Sequence, residues 1–392
     1  MASFDIEQIV AAVRAGAGKA DYLPLHEPEF GGNEKAYLLE CIDSTFVSSV
    51  GQFVSRFESM LASRIGVRHA VACVNGTAAL QVCLQAVGVR RDEEVIVPSL
   101  TFIATANSIS YVGATPHFVD CDPLTLGLDP ERLAERLQTI GERSSGGIRN
   151  AKTGRRIAAI VPMHTFGHPA KIDGILKVAG DWGLPVVEDA AESLGTSYRG
   201  KAAGTFGRVA ALSFNGNKIV TTGGGGAILT DDDELARHVK HLTTTAKIPH
   251  RWAFDHDEVG YNYRMPNLNA ALGCAQLEQL EGFIERKRRI AKHYQQALAG
   301  LPGIRFVVEP EHARSNYWLN TLLIDPEFAD QRDPLLDALN EAGLMARPAW
   351  KLMHRLRMYA SCPHGLLDVS EDLEARIVNI PSSATLMPKA AG

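Results

Sequence analysis

The stretch HAVACVNGTAALQVCLQAVGVRRDEEVIVPSLTFIATANSI, residues 69–109, decides the fold. It contains two short apolar runs rich in β-branched residues, 69–74 and 94–98. Each run leads into a segment with helical spacing, the first from about Ala78 and the second from about Ile103. A buried strand followed by a helix, repeated in this way, is typical of a mostly parallel sheet covered by helices on both faces. The stretch therefore predicts an α/β protein.

The same alternation continues along the chain. Helical patterns at 172–180 and 232–242 lie between further strand-like runs, which occupy residues 115–122, 156–164, 184–190, 208–214 and 226–230. Because near-continuous apolar strands alternate with helices, we expect one large α/β domain with its ligands at the carboxyl ends of the strands.

The pattern changes after residue 265. A long, highly charged helical segment over 267–298 precedes short mixed strand and helix patterns. We therefore predict an N-terminal helical extension over 1–28, a large domain over 29–265 and a small α+β domain over 266–392. The polar, glycine-rich stretch 141–155 is interpreted as an exposed loop.

Composition excludes several classes of function. The chain has 392 residues, 45% hydrophobic and 22% charged, with a formal net charge of −5. A nucleic-acid-binding surface would require a basic balance, which is missing here. No stretch is apolar and long enough to span a bilayer, and Asp5 and Glu7 lie where a signal peptide would be basic and then apolar. Six scattered cysteines without CxxC spacing fit a reducing cytoplasm.

Two strand ends carry residues suited to a planar, phosphorylated ligand. The segment Asn75-Gly76-Thr77 lies between a strand and a helix, where free N–H groups, the helix dipole and the Thr77 hydroxyl favour a phosphate. The same residues also suit an ordinary helix cap. Phe102 follows the next strand, and its ring is placed either to stack on a cofactor or to pack in the core.

Two further strand ends carry ionisable groups. Asp189 ends an apolar strand, so its carboxylate needs a partner, either a cofactor's pyridinium nitrogen or a structural ion pair. Ser213 lies at the end of another buried strand, and Lys218 follows that strand. Lysine is usually a solvated surface residue, but an amine between a buried strand and the flexible TTGGGG segment is placed to form an imine.

Other motifs do not support a competing chemistry. The glycines at 223–226 match neither GxGxxG nor a Walker loop. His164 and His168 have H-x-x-x-H spacing, but Gly167 and Pro169 disfavour the helix that would align them. We therefore predict no metal site.

Together these segments resemble the DegT/DnrJ/EryC1/StrS family of nucleotide-sugar aminotransferases, from about residue 23 to the end. The resemblance is carried by NGTAAL (75–80), PSLTFIATANSI (98–109), EDAAESLG (188–195), SFNGNKIVTTGGGG (213–226) and GYNYRMPNLNAALG (260–273). It implies the fold of fold-type-I enzymes that use pyridoxal 5′-phosphate (PLP). A likeness to the LegC-type subgroup is carried by the sequences of residues 213–226 and TTTAKIPH (243–250) and by the N-terminal extension.

The resemblance also implies roles for single residues. Lys218 would carry PLP as a Schiff base and move the substrate proton, and Asp189 would pair with the ring nitrogen. Phe102 would stack on the ring and Glu192 would lie near the phenolic oxygen. The phosphate would be bound by Gly76, Thr77 and Ser213, together with Asn262 of the neighbouring subunit in a homodimer with shared active sites.

The implied reaction is a ping-pong transfer of an amino group from L-glutamate to C4 of a UDP-linked 4-keto-6-deoxy-N-acetylhexosamine, for bacterial surface glycans or nonulosonic acids. A GDP- or TDP-linked keto sugar, or a PLP-binding regulator without turnover, stays open as an alternative. A dehydratase relative would replace the lysine with histidine. Substrate-side candidates, each equally compatible with packing or surface ion pairs, are Tyr317, Trp318, Arg347, Trp350 and His354. Arg264 is a further candidate, which would either assist Asn262 or only anchor its loop.

Overall fold

The computed structural model describes residues 4–18 and 20–389. Residues 1–3, 19 and 390–392, which belong to the predicted N-terminal extension and C-terminal domain, lie outside the described residues. The α-helices are α1 (Ile6–Ala17), α2 (Glu34–Asp43), α3 (Gln52–Ile65), α4 (Gly76–Ala86), α5 (Ile103–Tyr111), α6 (Pro130–Ile140), α7 (Ile172–Trp182), α8 (Asp233–Thr243), α9 (Asn267–Glu278), α10 (Leu280–Ala297), α11 (Arg332–Glu341) and α12 (Asp368–Arg376).

The strands of the first two thirds of the chain alternate with these helices, and further strands follow in the last third. They are β1 (His69–Cys73), β2 (Glu94–Pro98), β3 (Thr115–Val119), β4 (Gly141–Ser144), β5 (Gly147–Asn150), β6 (Arg156–Ile160), β7 (Val187–Asp189), β8 (Ser197–Tyr198), β9 (Lys201–Ala202), β10 (Val209–Ser213), β11 (Gly226–Thr230), β12 (Ile304–Phe306), β13 (Ala313–Arg314), β14 (Asn320–Ile324), β15 (Arg347–Pro348) and β16 (Ile377–Ile380).

A mostly parallel sheet forms the centre of the large domain. Strands β1, β11, β10 and β7 are neighbours, as are β3, β2 and β6. Parallel bridges from Ile160 to Val186 and from Met163 to Asp189 link β6 to β7, so the two groups are continuous. Only β11 runs antiparallel to its neighbours among these seven strands. This architecture confirms the predicted α/β fold with helices flanking the sheet.

Alternation of side chains explains why short apolar runs became the central strands. In β1, Val71 and Cys73 pack into the core layer shared with α4 and α5, whereas Ala70 and Ala72 pack against α3 and α9 on the other face. A strand buried on both faces needs apolar residues at every position, and this requirement produces the continuous run. The sheet therefore holds the ends of β1, β7 and β10 rigidly beside one another.

The C-terminal part contains a smaller antiparallel sheet in the order β12, β14, β16 and β15. Helix α1 packs against α10, and its Ile9 and Val13 share a core with Leu322 and Val378 of this sheet. Leu23 and Leu344 form a parallel bridge, which places the segment after α1 beside the chain that leads to β15. The boundaries predicted near 28 and 265 stay predictions.

Two local predictions were wrong. The stretch 141–155 is not a loop, because β4 and β5 form an antiparallel hairpin that pairs with β6. Gly147 has a φ of +108°, which the turn requires, and Ile148 is buried in the core. The segment 267–298 is two helices rather than one, since the backbone N–H of Gln279 turns to the carbonyl of Gln276 and ends α9 there.

No helix in the described part of the chain is long and apolar enough to cross a membrane.

Candidate active site

A cavity of about 720 Å³ opens at the carboxyl ends of β1, β7 and β10. Its wall combines residues from the large domain, the segment after α1 and the C-terminal sheet. The predicted site residues on this wall are Gly76, Thr77, Phe102, Asp189, Glu192, Ser213, Lys218, Trp318, Arg347 and Trp350. The structure thus brings together most of the candidates chosen from four separate strand ends.

Lys218 lies in the loop after β10, and only 11% of its side chain is exposed. Its Nζ is 3.3 Å from Glu192 Oε1 and 3.8 Å from the centre of the Trp318 ring. The Trp318 indole N–H donates to the carbonyl of Asn217, so the ring is fixed beside the lysine. A primary amine that faces a cavity between a carboxyl group and an aromatic face is oriented for reaction with a bound carbonyl.

Glu192 is buried beneath Lys218. Its Oε2 accepts a hydrogen bond of 2.9 Å from the backbone N–H of Phe166. Burial raises the pKa of Glu192 to about 7, although the Lys218 amine partly opposes this shift. The group therefore changes protonation near neutral pH while remaining in contact with the reactive amine.

Asp189 ends β7 and is also buried. The Thr105 hydroxyl donates to Oδ2 over 2.7 Å, and the backbone N–H of Ala191 donates to Oδ1 over 3.1 Å. Burial raises the pKa of Asp189, whereas Thr105 and Ala191 oppose that shift. A buried carboxylate at a cavity wall with only neutral donors is suited to a cationic ring nitrogen, which would compensate its lost solvation.

The first turn of α4 approaches the end of β10 closely. Asn75 caps the helix, since its Oδ1 accepts from the backbone N–H of Ala78 over 2.8 Å. A Cβ atom added to Gly76 would lie 2.8 Å from Ser213 Cβ, so this packing requires glycine. A helix cap and a phosphate site, the two interpretations of residues 75–77, are both compatible with this geometry. Gly76, Thr77 and Ser213 line the cavity at the capped end of the helix, where an anion is favoured.

Phe102 contributes an open aromatic surface. Its side chain is 44% exposed, and its ring centre is 5.9 Å from that of Trp350. Phe166 also packs against Trp350, with 4.9 Å between the ring centres. Core packing does not account for the exposed face of Phe102, and a planar ligand would cover it.

Four predicted residues do not line this cavity. Asn262 and Arg264 are exposed, and Arg264 Nη2 donates to Asn262 Oδ1 over 3.3 Å. Tyr317 is buried and its hydroxyl accepts from the Glu309 backbone N–H, so it is part of the core. His354 forms a hydrogen bond of 2.7 Å with Ser99 through Nδ1, and its Nε2 is 3.3 Å from Glu371.

Sequence reasoning missed several residues of the site, among them Thr105 and His26. Thr105 is buried in α5 and donates to Asp189, a contact that no local pattern in the sequence indicated. His26 lines the cavity but follows no recognisable pattern, since it reaches the site through the Leu23–Leu344 bridge. Burial lowers the pKa of His26 well below its usual range, and Lys287 and Lys218 lower it further.

Comparisons with known proteins identify the family of this chain. The sequence profile of the DegT/DnrJ/EryC1/StrS aminotransferase family matches residues 28–391. GDP-perosamine synthase of Caulobacter vibrioides is 42% identical over 362 residues, which are 92% of each chain. GDP-perosamine synthase of Escherichia coli O157:H7 is 37% identical, covering 93% of this chain and 94% of that one. A crystal structure of a family aminotransferase from Brucella abortus superposes with a TM-score of 0.82, at 31% identity and 91% coverage of both chains.

The fold and the site define a fold-type-I, PLP-dependent aminotransferase of nucleotide-sugar metabolism. Within that class, the chain belongs to the DegT/DnrJ/EryC1/StrS aminotransferase family. The residues present fit PLP, because one cavity offers an amine, a buried carboxylate with neutral donors, an exposed aromatic face and a helix N-terminus. The LegC-type likeness stays a prediction.

Proposed function

We propose that this enzyme transfers an amino group from L-glutamate to the C4 keto group of a GDP-linked 4-keto-6-deoxy sugar. The observation that carries the proposal is the position of Lys218, which faces the same cavity as the buried Asp189. The choice of GDP over the UDP-linked N-acetylhexosamine predicted above rests on the two relatives named GDP-perosamine synthases, at 42% and 37% identity.

We assign the residues their roles from their positions. When bound, PLP supplies an electron sink that makes the hydrogen on the substrate's amine-bearing carbon acidic. Lys218 would hold the cofactor and then carry the proton at Nζ, and Asp189 would keep the ring nitrogen protonated. Phe102 would cover the ring face, and Gly76, Thr77 and Ser213 would bind the phosphate at the start of α4.

Glu192 and Trp318 are suited to control the position of the Lys218 amine. The carboxyl group is 3.3 Å from Nζ, and the indole ring restricts Nζ from another side. With a pKa of about 7, Glu192 can donate or accept a proton without a large change in pH. These two contacts would hold Nζ in a geometry suited to reaction.

We further propose a homodimer in which Asn262 of each subunit reaches the phosphate in its partner's cavity. Both Asn262 and Arg264 are exposed and lie outside the cavity wall of their own subunit, which supports contact with another chain. A cytoplasmic location and a role in surface-glycan synthesis remain predictions.

The alternatives are less well supported. A dehydratase relative would have histidine in place of the lysine, and Lys218 is present. A regulator without turnover has no need for an amine held in contact with a buried carboxyl group, as Lys218 is with Glu192.

The test compares acceptors. The PLP-loaded enzyme is incubated with L-glutamate and with GDP-, TDP- or UDP-linked 4-keto-6-deoxy sugars, the UDP series including the N-acetyl sugar. We expect 2-oxoglutarate and an amino sugar with the highest kcat/KM for the GDP-linked acceptor, and no turnover by Lys218→Ala. Preference for the UDP-linked N-acetyl sugar would reject the GDP assignment. If glutamate left the absorbance of the PLP-loaded wild type unchanged, glutamate would not be the donor.

A further inference from the structure

Arg347 has an unusual position on the cavity wall. It begins β15, where it is paired in register with Asn379, another cavity residue. Its Nη1 donates to the carbonyl of Ala346 over 2.8 Å and to Asn340 Oδ1 over 3.2 Å. Both acceptors are neutral, so these bonds orient the guanidinium group and leave its charge unpaired.

The opposite edge of this guanidinium group is open. Within residues 4–18 and 20–389, neither Nε nor Nη2 of Arg347 has a hydrogen-bond or ion-pair partner. These two nitrogens form the edge that binds a carboxylate or a phosphate through two parallel hydrogen bonds. Because Nη1 is fixed from the other side, the open edge is oriented before any ligand arrives.

The charges of the cavity wall make Arg347 distinctive. Asp189 and Glu192 are acidic, and Lys218 is in contact with Glu192. Burial keeps His26 neutral by lowering its pKa. Among the described residues, Arg347 is the only arginine that lines the cavity, and it is exposed. Its positive charge is therefore available to an anionic ligand.

A ping-pong transfer requires one cavity to bind two different anions in turn. Glutamate enters with two carboxylates and leaves as 2-oxoglutarate, and the keto sugar then enters with a diphosphate. We infer that the open edge of Arg347 binds a carboxylate of the amino donor in the first half-reaction and the diphosphate of the sugar nucleotide in the second. This inference rests on the proposed function for the identity of the two ligands.

The experiment measures the two ligands separately on the PLP-loaded enzyme. Binding of GDP, UDP and TDP is measured by calorimetry, without turnover. The donor is followed by the glutamate concentration that gives half of the absorbance change. The variants are Arg347→Gln, which removes the charge, and Arg347→Lys, which keeps the charge but loses the paired donors. The control is Arg357→Gln, an exposed arginine of the same segment that does not line the cavity.

We expect Arg347→Gln to weaken both the tightest-binding nucleoside diphosphate and glutamate by about tenfold or more, with Arg347→Lys intermediate. Arg357→Gln should match the wild type, and all variants should keep the wild-type melting temperature. An effect on only one ligand, or on neither, would overturn the shared role. A preference for UDP or TDP over GDP would reject the proposed sugar nucleotide, whereas the dependence on Arg347 would be judged on the diphosphate that binds most tightly.

Discussion

Glu192 shows how burial sets the chemistry of a single residue. Its carboxyl group receives one backbone hydrogen bond and contacts one amine, which is too little to replace the water it lost. The pKa therefore rises to about 7, whereas a glutamate in an unfolded chain titrates near 4.3. The neighbouring Asp189 differs in having a hydroxyl donor, Thr105, in addition to a backbone N–H.

The pKa of Glu192 predicts a pH-dependent stability. Between about pH 4.3 and pH 7 the unfolded state releases the proton of this group more readily than the folded state does. Cofactor-free wild type should therefore lose stability relative to Glu192→Gln as the pH rises through this window, by up to about 3 kcal/mol. Urea unfolding of both proteins at pH 5 and pH 8 measures the difference.

The control for this measurement is Glu341→Gln, an exposed glutamate at the end of α11. It should change stability by the same small amount at both pH values. If the difference between wild type and Glu192→Gln were also equal at pH 5 and pH 8, the raised pKa of Glu192 would be wrong.

At the scale of elements, the contact between β11 and the start of α4 positions the proposed phosphate site. A Cβ atom added to Gly226, the first residue of β11, would lie 2.4 Å from the backbone C and O atoms of Asn75. Backbone atoms cannot rotate away as a flexible side chain can. The glycine thus allows the antiparallel strand to pack directly against the capped helix end.

Gly226→Ala should therefore displace α4. We expect a loss of about 1–3 kcal/mol in the free energy of unfolding, together with weaker PLP binding. Urea unfolding and a PLP titration of the cofactor-free protein measure the two effects. The matched control is Gly224→Ala in the same glycine-rich segment, since an added Cβ there meets no atom within 4 Å. Equal PLP affinities for the two variants would contradict the role of this contact.

At the scale of the whole molecule, the site is formed by distant parts of one chain and, in our proposal, by a second subunit. Asn262 is exposed, pairs with Thr244 at the end of α8 and does not line the cavity of its own subunit. A residue that must reach another subunit's cavity makes activity depend on assembly, because a C2 dimer contributes the same residue to both sites.

Mixed dimers test this arrangement. A subunit with Lys218→Ala combined with a subunit with Asn262→Ala gives one doubly altered site and one intact site. After unfolding and refolding together, an equal mixture should reach about a quarter of wild-type activity, since half of the dimers are mixed. The control mixes each variant with itself. Activity no higher than the mean of the two self-mixed controls would show that Asn262 acts in its own subunit or not at all.

The sequence alone determined the sheet and the residues at its strand ends, because both depend on local patterns. Apolar runs buried on two faces predict parallel strands; Asp189 and Ser213 lie at the ends of such runs, and Lys218 follows one within a short loop. Their meeting in one cavity follows from the rule that ligands bind at the carboxyl ends of parallel strands.

Only the tertiary structure decided which remote residues complete the wall. His26 and Arg347 come from opposite ends of the chain and reach the cavity through the Leu23–Leu344 bridge and the C-terminal sheet. Tyr317 and Trp318 lie between β13 and β14, and Tyr317 packs in the core beside Leu322 while its neighbour Trp318 contacts Lys218. Such positions depend on long-range packing, which the local sequence does not encode.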